Sequence, residues 1–194
     1  MTDHPVRHPP AMASLVFVRE RDEASQDTCI RSVALFQLQQ DGQGGAAFTL
    51  HHRAFDCDAN RADTIGGLAD RITANATIIS PASNDRGQNA YDERASAPPM
   101  PPSDLALLQR HRADVEVITI RCQVAALDET AAALGLRRAG PGSSTVAQCR
   151  HAPEEAQCLW LTYLWTHCRR VDRITLTAAW EAWRALERAR PLPF

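Results

Sequence analysis

Apolar residues form short runs along the first two thirds of the chain and helical stripes along the last third. "SLVFV" (14–18) is a compact apolar run, short enough for a buried strand. "CIRSVALFQLQ" (29–39) sets Ile30, Val33, Leu35 and Leu38 among polar neighbours, and "AAFTLHHRAF" (46–55) follows the Gly turn "DGQGG". Three strands joined by short turns predict a meander. Asn60 or Asp63 can cap a helix whose inner stripe is Ile65, Leu68, Ala69 and Ile72. "ATIIS" (76–80) reads as a fourth, buried strand. Residues 81–103 then hold five Pro and little to bury, which is long for a loop in a compact domain. Ser103 caps a short helix, "DLALLQRHR". "VEVITI" (115–120) is a fifth strand, and "VAALDETAAALGL" a helix ended by Gly135. A long helix is predicted over 152–168. A last one, over 175–189, stops before Pro191 and carries Leu176, Ala179, Trp180, Trp183 and Leu186 on one face.

This order, βββαβαβα with helices behind it, predicts an α/β domain. Its mixed five-stranded sheet has three antiparallel strands followed by β-α units, with helices on both faces and an extra C-terminal helix. Residues 1–12 are polar and Pro-rich and read as a disordered lead-in. Residues 13–170 form the domain, and 171–194 a C-terminal helical extension.

Composition narrows the class. At 194 residues and 44% hydrophobic the chain can bury a full-sized core. A formal net charge of -2 announces no global basic field. The charges are unevenly placed, however: residues 1–136 hold 12 Arg against 18 acids, and residues 137–194 hold 9 Arg against 5. All 21 basic residues are Arg, which suits bidentate phosphate contacts and also follows from Arg-rich codon usage. The six Cys show no CxxC pair, and no signal peptide or ~20-residue apolar span is present. A cytoplasmic protein with reduced thiols and no membrane contact is expected.

Four segments carry a family resemblance. "VFVRE" lines up with a strand ending in hydrophobic-Phe-Asp-x-Glu, and "CIRSVAL" follows where a second strand belongs. "GLADRITANATIISPASND" and "VITIRCQVAALDETAAALGL" come next in order, and "RHAPEEAQ" falls where a His-x-Ala-x-x-Asp-Ala motif would close the set. Over roughly 14–168 the chain resembles the DEDD family of 3'–5' exonucleases, the proofreading type, with its ribonuclease H-like fold. The resemblance implies four carboxylates holding two Mg2+ or Mn2+ ions, which activate a water and clamp the scissile phosphate. It implies metal ligands at Glu20, Asp85 and Glu155, with Glu20 and Glu155 catalytic, and a single-stranded DNA or RNA 3' end as partner. The chain departs from the pattern in places. Val18 stands where the first Asp belongs. A slipped register uses Glu20 and Asp22, and Asp92 is a fallback for Asp85. Arg150 occupies the general-base His position, leaving His151 as the local candidate base.

Competing explanations apply to each residue. Glu154 and Glu155 near a helix start favour the helix dipole without any function. Arg137, Arg138, Arg150, Arg169 and Arg170, with Arg173, can form a positive rim around a phosphate track, or simply a solvated helix end. Cys149, His151, Cys158, His167 and Cys168 are no zinc set, because ten helical residues (~15 Å) separate Cys158 from Cys168. His51 and His52 point to opposite faces of a strand. Two functions follow. One is metal-dependent exonuclease chemistry. The other is a degenerate exonuclease fold, without a metal cofactor, that binds single-stranded nucleic acid or a protein partner through the Trp-bearing C-terminal helices.

Overall fold

The computed structural model describes residues 9–21, 28–41, 43, 45–56, 60–81, 102–120, 124–140 and 143–189. Five strands lie among them: β1 (Ala11–Arg21), β2 (Thr28–Gln40), β3 (Ala46–Ala54), β4 (Thr77–Pro81) and β5 (Glu116–Ile120). The helices are α1 (Arg61–Ala69), α2 (Pro102–His111), α3 (Val124–Leu134), α4 (Thr145–His167) and α5 (Arg170–Ala189). The expected element order is observed. The strands form one mixed sheet in the order β3-β2-β1-β4-β5. β2 runs antiparallel to both β1 and β3, while β1, β4 and β5 are mutually parallel. No helix among the described residues is long and apolar enough to cross a membrane.

Strand alternation divides the core in two. Met12, Val16 and Val18 of β1, with Ala34, Phe36 and Leu38 of β2, pack under α3, α4 and α5. Ala11, Ala13, Leu15 and Phe17, with Val33 and Leu35, pack under α1 and α2. β1 and β2 are buried on both faces, which is why their sequences read as near-continuous apolar runs.

Several boundaries differ from the sequence expectation. β1 begins at Ala11, inside the expected lead-in, because Ala11 and Met12 are buried core residues paired with Gln39 and Leu38. α4 begins seven residues early, with Ser144 as its cap: the Ser144 hydroxyl accepts from the Ala147 N–H at 3.3 Å. Pro153 therefore lies inside a helix, where it cannot donate to the Cys149 carbonyl. The His52 ring of β3 lies beside the Cys149 backbone, which raises its pKa against the larger lowering by burial. α5 begins at Arg170 rather than 175. Its Leu176, Trp180 and Trp183 face inward, but Leu186 is 73% exposed, because ten residues past Leu176 the helix has turned about 80° out of line. Trp160 and Trp183 close an aromatic cluster with Phe36 and Phe48 at centroid distances of 5.4 to 5.8 Å.

Candidate functional site

α4 crosses β1 in the opposite direction, and two contacts fix the crossing. At one end the Ser14 hydroxyl donates to the Ala156 carbonyl at 2.6 Å. At the other the Thr145 hydroxyl lies 3.4 Å from a Glu20 carboxylate oxygen. Glu20, at the end of β1, thus meets the first turn of α4. Val18 and Glu20 share the α4 face of the strand. Val18 is 3% exposed within the core.

Glu20 borders an open cavity of about 320 Å³ lined by Arg31, Phe55, Asp56, Thr145, Val146 and Cys149. Arg31 pairs with Glu20 at 3.2 Å. Burial pushes the Cys149 thiol up, so it stays protonated. Behind the cavity the fully buried Ser32 hydroxyl lies 2.8 Å from His52 Nε2. Burial lowers the His52 pKa and keeps the ring neutral. Sequence reading missed this Ser32–His52–Cys149 cluster. Its members lie on three different elements, and no local spacing announces it.

Glu155 is elsewhere. It lies ten residues beyond Thr145, ~15 Å along the helix. Its carboxylate is 5% exposed and forms a two-pronged pair with Arg138, Nε and Nη2 each at 2.8 Å. The Arg138 guanidinium, also 5% exposed, reaches Asp128 of α3 as well. Two expectations are corrected together. Glu155 neutralises a buried cation instead of joining Glu20, and Arg138 is spent inside the protein instead of facing a phosphate. Glu154 accepts a hydrogen bond from the Arg137 backbone N–H, and the Arg137 side chain is exposed.

His151 is half-buried on α4, two residues and therefore about 200° around the helix from Cys149, so it turns away from the Glu20 cavity. Arg150 is exposed. Asp22, Asp85 and Asp92 lie outside the described residues. Among those described, no group of three or more His, Cys, Asp or Glu side chains is placed to hold a metal ion. A magnesium ion needs several oxygen donors in near-octahedral array. Beside Glu20 the described donors do not fit one, because Arg31 takes the carboxylate's charge and Val18 supplies no oxygen. Arg19, next to Glu20 but on the other face, pairs at 2.7 Å with the fully buried Asp104 of α2, which Arg61 also engages.

The corner between α4 and α5 is different in character. Trp165 is 46% exposed, its indole N–H bonded to the Thr177 hydroxyl at 3.2 Å. Arg169 and Arg170 are exposed beside it. Arg173 donates to the Trp165 carbonyl at 3.0 Å, and Arg169 reaches Asp172 at 3.3 Å. Arg169, Arg170 and Arg173 thus follow the exposed indole within eight residues, with Asp172 the one carboxylate among residues 165–173. Compared with known protein families and with curated proteins, the chain matches none.

Proposed function

We propose that this chain is a ribonuclease H-like domain of the 3'–5' exonuclease kind that has lost metal-dependent hydrolysis and holds single-stranded nucleic acid. The fold part of this reading is supported by the strand order, with β2 alone reversed, and by helices on both faces of the sheet. Glu155 carries the loss of chemistry: it is the acid that the closing motif would supply, and it is locked to Arg138 in the interior. With Val18 at the first Asp position and Arg31 on Glu20, the end of β1 does not fit a metal ion.

The binding part rests on the α4–α5 corner. An indole gives any base a face to stack on, and guanidiniums track the backbone without reading sequence. The test is fluorescence anisotropy of a labelled oligonucleotide across a salt series. The expected result is saturable binding to single strands that weakens with salt, with a log–log slope near -0.7 per phosphate contacted. Arg169→Ala with Arg170→Ala should cut affinity and flatten the slope. Trp165→Ala should weaken binding at every salt concentration. No binding at low salt would overturn the reading. A protein partner would then take its place, favoured by Val171, Ile174 and Leu186, which leave α5 with apolar side chains in solvent.

A further inference from the structure

On the opposite face of the sheet, a second cavity of about 310 Å³ lies between β3 and α1. This is the lower end of the size range of small-molecule sites. Its floor is apolar, with Val33, Leu68 and Phe55 belonging to the core under α1 and α2. Its walls are cationic. Arg53, paired across the sheet with Val33, projects on this face, and its guanidinium carbon stands 5.1 Å from the Phe55 ring centroid. Arg71 comes from the turn after α1. His51, two residues before Arg53 and on the same face, is a third basic group of the lining, and the neighbouring His52 is a fourth. Asp63 is the one carboxylate of the lining, so two guanidiniums outweigh it.

Gly67 is the independent observation. Two glycines stand in the middle of α1, where glycine weakens a helix. At Gly66 an added Cβ would sit in ordinary van der Waals contact with the His111 ring, 3.4 Å from Cε1. At Gly67 an added Cβ would meet nothing within 4 Å, and Gly67 lines the cavity. Its backbone is ordinary helix. What the missing side chain does is leave the cavity wall bare.

We infer that this cavity binds a small phosphate monoester carrying a flat apolar group, with the phosphate on Arg53 and Arg71 and the apolar group on Val33, Leu68 and Phe55. Two planar guanidiniums in one cavity lining suit bidentate contact to a phosphate. The floor and the bare wall at Gly67 leave room for a ring. The His51 pKa is lowered by burial first and by the Arg71 charge second, so the ring is neutral and leaves the anion to the two arginines. The site is separate from the α4–α5 corner and does not depend on the nuclease reading.

Phenyl phosphate is the probe, titrated into the full chain by calorimetry and by NMR of the His51 ring, with inorganic phosphate as the comparison. The expected result is saturable binding of phenyl phosphate, tighter than inorganic phosphate. The His51 pKa should rise as the dianion offsets Arg71, with Asp63 and Arg53 as the other charges lining the cavity. Arg71→Ala should weaken binding about tenfold, as the loss of one charge-assisted contact does. Gly67→Leu should abolish it without lowering Tm. Overturning results are an unmoved His51 ring, equal affinity for inorganic phosphate, or affinity unchanged in both Arg71→Ala and Gly67→Leu. Should Gly67→Leu not fold, Arg53→Ala with Arg71→Ala decides the matter, because both side chains lie at the surface.

Discussion

Glu155 shows how one acid can carry two incompatible roles. In the sequence it stands where an exonuclease-like motif ends, and in the structure it balances a buried guanidinium. The burial of both partners decides between the roles. A carboxylate that neutralises Arg138 at 2.8 Å on two contacts has its charge already matched. Removing it alone strands a buried cation, so Glu155→Ala should cost about 3–5 kcal/mol in chemical denaturation. Replacing both partners, with Glu155→Leu and Arg138→Met, should recover most of that loss, since a well-packed apolar pair is often as stable as a buried ion pair. A metal-ligand role predicts the reverse, a single variant of undiminished stability. The sequence could not separate these outcomes, because Arg138 lies 17 residues upstream in a turn, and only the packing of α4 on α3 brings the two together. Glu20 was more legible: alternation from Val16 through Val18 places it on the α4 face, and there it is.

At the scale of elements, periodicity located every strand and helix, while the ends were set by side chains that periodicity does not weigh. Ser144 starts α4 ahead of a proline that reads like a first helical residue. Pro153, inside α4, cannot donate to the Cys149 carbonyl, and the helix continues through it. The junction after α1 is held by side chains. Arg112, just past α2, donates to the Ala69 and Thr73 carbonyls at 3.0 and 3.2 Å, and also to the Ile72 carbonyl, tying down the chain after α1. Asp114 holds that guanidinium at 2.7 Å and accepts from the Asn75 N–H at 2.8 Å, where the backbone turns through φ 56°. The hydrogen bonds from Arg112 and from the Asn75 backbone hold the Asp114 carboxyl well below the usual carboxylate range. A carboxylate whose pKa is depressed on folding contributes stability above its unfolded value, 3.8, and loses it as pH falls further. Urea melts taken from pH 5 downward should therefore show stability falling through this window. Asp114→Asn should be less stable at neutral pH and should show a shallower acid decline.

For the whole molecule, the arrangement of strands and helices followed from the sequence because the two faces of the sheet are written as two alternating sets of apolar residues. Met12, Val16 and Val18 supply one, and Leu15 and Phe17 the other. The two cavities were less legible, since each is assembled across the sheet. The cavity beside Glu20 joins four elements, the one under α1 joins three, and the α4–α5 corner depends on which of four Trp is left in solvent. Trp160 and Trp180 are fully buried and Trp183 packs tilted against Phe36 and Phe48, so Trp165 is the indole left half in solvent. The same chain order that resembles a nuclease thus carries its exposed aromatic and its arginines away from the place where the metal-binding acids would meet.

We propose a nuclease-like fold that grips a strand without cutting it. Its most direct test is to incubate a 5'-labelled single strand with the purified chain at low salt, in Mg2+ and separately in Mn2+. Retention and product length are read from the same samples. The expected result is a retained strand of unchanged length in both metals, with the wild type and Glu20→Gln indistinguishable. Stepwise shortening from the 3' end in either metal, abolished by Glu20→Gln, would contradict it.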